Sequence, residues 1–160
     1  MRTRISPDGP RHGGVVPSGE VAAWNPWREL RRRADLTFGR ARLPPGVEGC
    51  LVELDGGTVV LLDLDLGRRA RNVTLTHELV HLERGLLPRD ACDHQVAREE
   101  RLVSEEAARR LVPVEELRAV AAALLEVAEA VEAWELAEHF DVTEAVIHDR
   151  VGELRRRHGL

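Results

Sequence analysis

Asn72-Val73-Thr74-Leu75-Thr76-His77-Glu78-Leu79-Val80-His81 is the stretch whose reading decides the fold. Its last five residues, His-Glu-x-x-His, form the pentapeptide that on a helix builds the zinc site of many metallopeptidases. The spacing has a physical reason. Histidines four apart share one helix face, so both imidazoles can reach one tetrahedral Zn²⁺ at about 2.0–2.1 Å. Glu78 projects about 100° round the helix, where it can hold a metal-bound water and take its proton as general base. A random chain with the same His and Glu content would show the pattern roughly 0.04 times, so chance is a poor account of it. Leu75, Leu79, Leu82 and Leu86 recur at helical spacing and form an apolar stripe, with His77, His81 and Arg84 on the opposite side. A helix anchored by leucines, with two histidines turned away from them, suits a site beside a cleft.

Catalytic zinc needs a third protein ligand and an open fourth position. The continuation that supplies a third histidine in metzincins is absent, since its Gly would fall at Arg84 and its His at Leu87. The downstream carboxylates are therefore the candidates. If residues 96–111 are helical, Val96, Val103, Ala107 and Leu111 make an apolar stripe, and Glu100 lies within it at i+4 from Val96. A carboxylate on a core-facing side is costly unless a cation compensates it, which singles out Glu100. Glu99, Asp93 and His94 remain alternatives, and a salt bridge from Glu100 to an arginine is the plainer explanation of its position.

The run from Asn72 to His81, followed by Glu100-Arg-Leu-Val103-Ser-Glu-Glu-Ala107-Ala-Arg-Arg-Leu111-Val-Pro113, resembles the ImmA/IrrE metallopeptidases. In that family an Arg-x-Thr-x-x-His-Glu-x-x-His helix precedes a Glu-x-x-Ala-Asn-x-Phe-Ala-Ala-x-Leu-Leu-Met-Pro helix that brings the third ligand. Aligned on Pro113, that ligand falls on Glu100. Val80 replaces the family's usual Gly, Val103 and Ser104 its Ala-Asn, Glu106 its Phe, and Arg110 and Val112 its Leu and Met. The resemblance spans residues 24–155. It implies regulated cleavage of a transcriptional repressor, often one encoded beside the protease.

Length and composition bound the rest. At 160 residues the chain can bury a core without staples, and Cys50 and Cys92 do not make a disulfide framework. No N-terminal apolar signal region and no apolar run near membrane length occurs, so the expectation is a cytoplasmic protein with free thiols and no membrane partner. Cys92 reads as a buried thiol. The formal net charge is −5, which disfavours a general nucleic-acid coat, and residues 97–160 hold nearly all the acidic excess. All the basic residues are Arg, and Tyr is absent. An oxyanion donor must then come from elsewhere, with His94, His139 and the arginines open. His12, His148 and His158 show no ligand spacing.

Residues 1–22 are rich in Pro and Gly and poor in apolar residues, and are expected to form a flexible tail ahead of a single domain over 23–160. Within it, 24–113 is the metallopeptidase part and 114–160 a helical C-terminal part. Trp24 to Asp35 reads as a helix with Asn25 as cap and Pro26 in its first turn. Residues 36–63 read as a small sheet, with Asp55-Gly56-Gly57 as a hairpin turn. Leu117, Val120, Leu124, Val127, Val131 and Trp134 keep helical spacing. Trp134 to Leu154 resembles a helix-turn-helix, with Thr143 opening the second helix and Asp141 where a turn Gly is usual. Its candidate exposed residues include Glu144, Asp149 and Glu153, which are poor partners for bases and phosphates, so direct DNA binding is disfavoured.

The sequence thus predicts an α+β, zincin-like fold: a small antiparallel or mixed sheet beside the His77–His81 helix, followed by a helical C-terminal part. It predicts a zinc endopeptidase with His77, His81 and Glu100 as ligands and Glu78 as catalytic base. The partner would be a protein substrate, a helix-turn-helix repressor. The rival readings are a degenerate metal-binding interaction module and a small DNA-binding regulator.

Overall fold

The computed structural model describes residues 24–85, 87–88 and 90–158. The expected tail at 1–22, His12 and Leu86 lie outside the described residues. Helix α1 (Pro26–Arg32) is shorter than the 24–35 span predicted, because Arg33 leaves it in extended conformation. Its start is as read: Asn25 accepts from the Arg28 amide and Pro26 occupies the first turn.

Three strands follow, β1 (Leu36–Ala41), β2 (Gly49–Leu54) and β3 (Gly57–Asp63). Asp55-Gly56 makes the two-residue turn between β2 and β3, with Gly56 at φ 111°, a conformation that favours glycine. The sheet is mixed. Its order is β1-β3-β2, with β1 parallel and β2 antiparallel to the central β3. The chain must therefore cross the end of β3 between β1 and β2. The connecting loop is pinned there by Asp63, whose carboxylate accepts from the amides of Leu43 at 2.6 Å and Asp65 at 2.8 Å. Those two amides hold the Asp63 carboxyl below its ordinary range. The β2 side away from β3 has no strand partner among the described residues, which makes it an edge.

Helix α2 (Arg68–Arg84) carries the pentapeptide across one face of the sheet. Leu75 and Leu79 pack with Val60 and Leu62 of β3 and Leu30 of α1, while Leu82 is only partly buried. A second side of α2 is also covered, because Val80 meets Val103 and Ala107 of α3 (Asp93–Leu111). The helix is thus held on two sides rather than by one leucine stripe.

The α3 stripe departs from the periodicity reading. Val103 and Ala107 are buried, but Val96 is 42% exposed and the Glu100 side chain 51% exposed. Glu100 sits on the expected face, upstream of the part that α2 covers. Cys92, read as buried, is exposed immediately before α3, where its amide donates to Gln95 Oε1 at 2.9 Å.

Beyond Pro113 the helical spacing does not continue unbroken. Helix α4 (Val114–Leu125) ends, Val127 is 86% exposed, and α5 (Ala133–Phe140) begins after a connection without Gly or Pro. The restart is set by glutamates: the Glu132 amide donates to Glu135 Oε2 at 2.9 Å, half of a capping box. Asp141 then adopts the left-handed conformation (φ 53°) and leads to α6 (Glu144–His158). Asn72 Nδ2 donates to Asp141 Oδ2 at 2.7 Å and Arg68 pairs with the same oxygen at 2.9 Å, while Trp27 Nε1 donates to Asn72 Oδ1 at 2.7 Å. One asparagine of α2 therefore ties α1 and the α5–α6 turn to the helix that carries the histidines. Helices α3 to α6 share the second large core, built on Ala108, Val112, Leu117, Leu136, Ala137, Val142 and Ile147. With three strands and six helices among the described residues, the architecture is α+β.

Candidate metal centre

His77 and His81 project from α2, and Glu100 faces them from α3. His77 Nε2 lies 3.0 Å from His81 Nε2 and 3.2 Å from Glu100 Oε2, and His81 Nε2 lies 3.2 Å from Glu100 Oε1. Three donors on a tetrahedral ion with ligand bonds of about 2.0–2.1 Å stand about 3.3 Å apart. The spacings are close to that, but Glu100 meets the two histidines through different oxygens, and one ligand atom from each residue lies within 4.8 Å of the others, so the donor set suits a small divalent ion once the carboxylate turns one oxygen to it. Two neutral imidazoles and one carboxylate also match the donor types that zinc takes. Burial, and then the neighbouring His81, lower the His77 pKa, which favours the neutral ring that a metal needs.

The alternative third donors go elsewhere. Glu99 is held by Arg84, whose Nη2 donates to it at 2.8 Å. Asp93 and His94 are exposed at the start of α3, and neither lines the cleft. His94 shares its surroundings with Ala97, Arg98 and Arg101 instead, and His139 lies 3.4 Å from Glu116. Neither histidine is positioned as an oxyanion donor.

Glu78 is 7% exposed and packs under β2, where a Cβ built on Gly49 would stand 3.0 Å from its Oε1. The same Cβ would stand 2.6 Å from Thr74 Cγ2, so a side chain at position 49 would push α2 side chains aside. Burial, with the negative charge of Glu100 added, raises the Glu78 carboxyl to about 7. It accepts no hydrogen bond from the described residues, which leaves its oxygens free for a water. The nearby Cys50 thiol is raised in turn, by burial and by Glu78.

A stability consequence follows for the metal-free protein. The folded state binds the Glu78 proton more tightly than the unfolded state, so stability falls as pH rises from about 4.5 to about 7 and is level above that. The loss is on the order of 3 kcal/mol. Urea unfolding of metal-free protein at pH 5 and pH 8 should show it as a difference between wild type and Glu78→Gln, which lacks the titrating carboxyl.

The cleft over these residues has a volume of about 690 Å³. Its other wall is the crossing loop and the β2 edge: Gly46, Val47, Glu48, Gly49 and Leu51. Thr74 donates to Glu48 Oε2 at 3.1 Å, joining loop to helix. Sequence reading missed Glu48, Gly49 and Thr74. The sharp turn at Pro44-Pro45-Gly46 was the signal nearest to them, and only the strand order brings that loop to α2.

Paired donors and a buried carboxyl on one helix, beside an open cleft and a sheet edge, are the equipment of metal-dependent hydrolases. Residues 42–151 match the sequence model of the IrrE N-terminal-like domain, peptidase family M78, and the chain belongs to that family. No curated protein and no solved structure matches it. No helix among the described residues is long and apolar enough to cross a membrane.

Proposed function

We propose that this protein is a cytoplasmic zinc endopeptidase of zincin type that cleaves a regulatory protein, a helix-turn-helix repressor encoded nearby. The observation that carries the reading is the cluster of His77, His81 and Glu100, with Glu78 buried one residue from His77. His77, His81 and Glu100 would hold the ion, and Zn²⁺, when bound, would supply a Lewis acid for the scissile carbonyl and a water of lowered pKa. Glu78 would act as general base and acid, taking a proton from the attacking water at a carboxylate oxygen and returning it to the leaving amine nitrogen. Positive charge at the triad opposes the effect of Glu100, so Glu78 is more readily ionised there than in metal-free protein. An extended substrate segment can pair with the free edge of β2, whose Gly49 and Leu51 already line the cleft.

One basic residue of the C-terminal helices weighs against DNA binding, although Arg155, Arg156 and Arg157 are exposed. Arg150 is buried and donates to Val112 O at 3.0 Å, so it is not available to phosphate. Glu153, read as an exposed residue, is buried with it. Incubation of zinc-loaded protein with the neighbouring repressor, followed by mass spectrometry, tests the proposal. A single cut that stops on chelation and resumes with Zn²⁺ is the expected outcome; an intact repressor across several zinc-loaded preparations counts against it.

A further inference from the structure

A second hollow of about 380 Å³ opens directly from the metal cleft, with Glu48, Val73 and His77 bordering both. It runs between α2, α3 and α6. Small side chains make the room, Ala70 on α2 with Ala107 and Ala108 on α3, and Val146 of α6 closes the apolar wall. Its far end is Asp149, an exposed carboxylate with no ion pair among the described residues. Arg101 and Arg156 stand in the next hollow beyond Asp149, and neither is within ion-pair distance of it. A slot with aliphatic walls and a carboxylate at each end matches a side chain with a methylene stem and a cationic head.

We propose that this slot is a specificity subsite for an arginine or lysine of the substrate, its stem on the alanines and its charge on Asp149, with Glu48 at the entrance. The assignment rests on the peptidase reading for its biological use, but the subsite can be tested without turnover. It also gives α6 a role. The second helix of the helix-turn-helix-like unit becomes one wall of the substrate site, with Asp149 as its contact to a basic side chain.

The test uses zinc-loaded Glu78→Gln protein and short labelled Ala/Ser/Gly peptides with one central guest residue, read by fluorescence anisotropy. Arg and Lys guests should bind about fivefold more tightly than Leu or Glu, the scale of a single solvent-accessible ion pair, and added salt should narrow the gap. Asp149→Asn should erase most of the preference, and Asp149→Arg should turn it toward the Glu guest. Because Asp149 has no ion pair to lose among the described residues, Asp149→Asn should melt with the parent. Equal binding of all guests, binding of none, or a preference untouched by Asp149→Asn overturns the subsite. Preserved Arg preference together with no cleavage by zinc-loaded wild type strikes the peptidase reading alone.

Discussion

Glu78→Gln is expected to lower peptide cleavage by on the order of 10³-fold while the zinc stays bound. The size follows from the role: a positioned general base contributes through proton transfer, and glutamine keeps the shape but cannot accept the proton. The variant should keep its fold, because Glu78 accepts no hydrogen bond from the described residues and lies against β2 only by van der Waals contact near Gly49. Above pH 7 the metal-free variant should be more stable than wild type, since the cost of a buried carboxylate is removed. The loss should sit in kcat, with KM for a peptide little changed. Cleavage within about tenfold of wild type would remove Glu78 from the reaction.

Glu153→Ala is expected to cost about 3–5 kcal/mol, a large part of the stability of a domain this size. Glu153 is nearly solvent-free between two elements. It accepts from Arg109 of α3 at 2.6 Å and from Arg150 of α6 at 2.7 Å, and Arg157 approaches at 3.0 Å. Burial alone would raise its carboxyl, but the three guanidiniums reverse that and hold it below the ordinary range. Its contribution is therefore present above about pH 4.5 and lost as acid titrates the folded carboxyl. Removing it leaves Arg150 buried with only Val112 O as partner. Urea unfolding at pH 7 measures the effect; a loss below 1 kcal/mol would mean that the α3–α6 packing does not depend on this cluster.

The pentapeptide was legible because four-residue spacing on a helix is a local property, and both histidines stand on one face of α2. Glu100 was also reachable, since it shares a face with Val103 and Ala107. The physical reason given for it was wrong in part: the carboxylate is half exposed at the cleft, and its position follows from facing two histidines rather than from entering the core. Glu48 and Gly49 were not legible. Their place depends on β2 lying at the sheet edge beside α2, and nothing local in residues 36–63 encodes the strand order. The break after Leu125 escaped notice for a different reason, as a glutamate cap replaces the usual Gly or Pro punctuation. Glu153 looked like a surface residue because charge is the only cue a sequence offers, whereas pairing with Arg150 lets both be buried.

Metal content tests the central claim most directly. Elemental analysis of protein purified without added metal should find close to one zinc per chain, lost in His77→Ala and Glu100→Ala but kept in Glu78→Gln. Protein that is metal-free and takes up no Zn²⁺ at low micromolar concentration would contradict it.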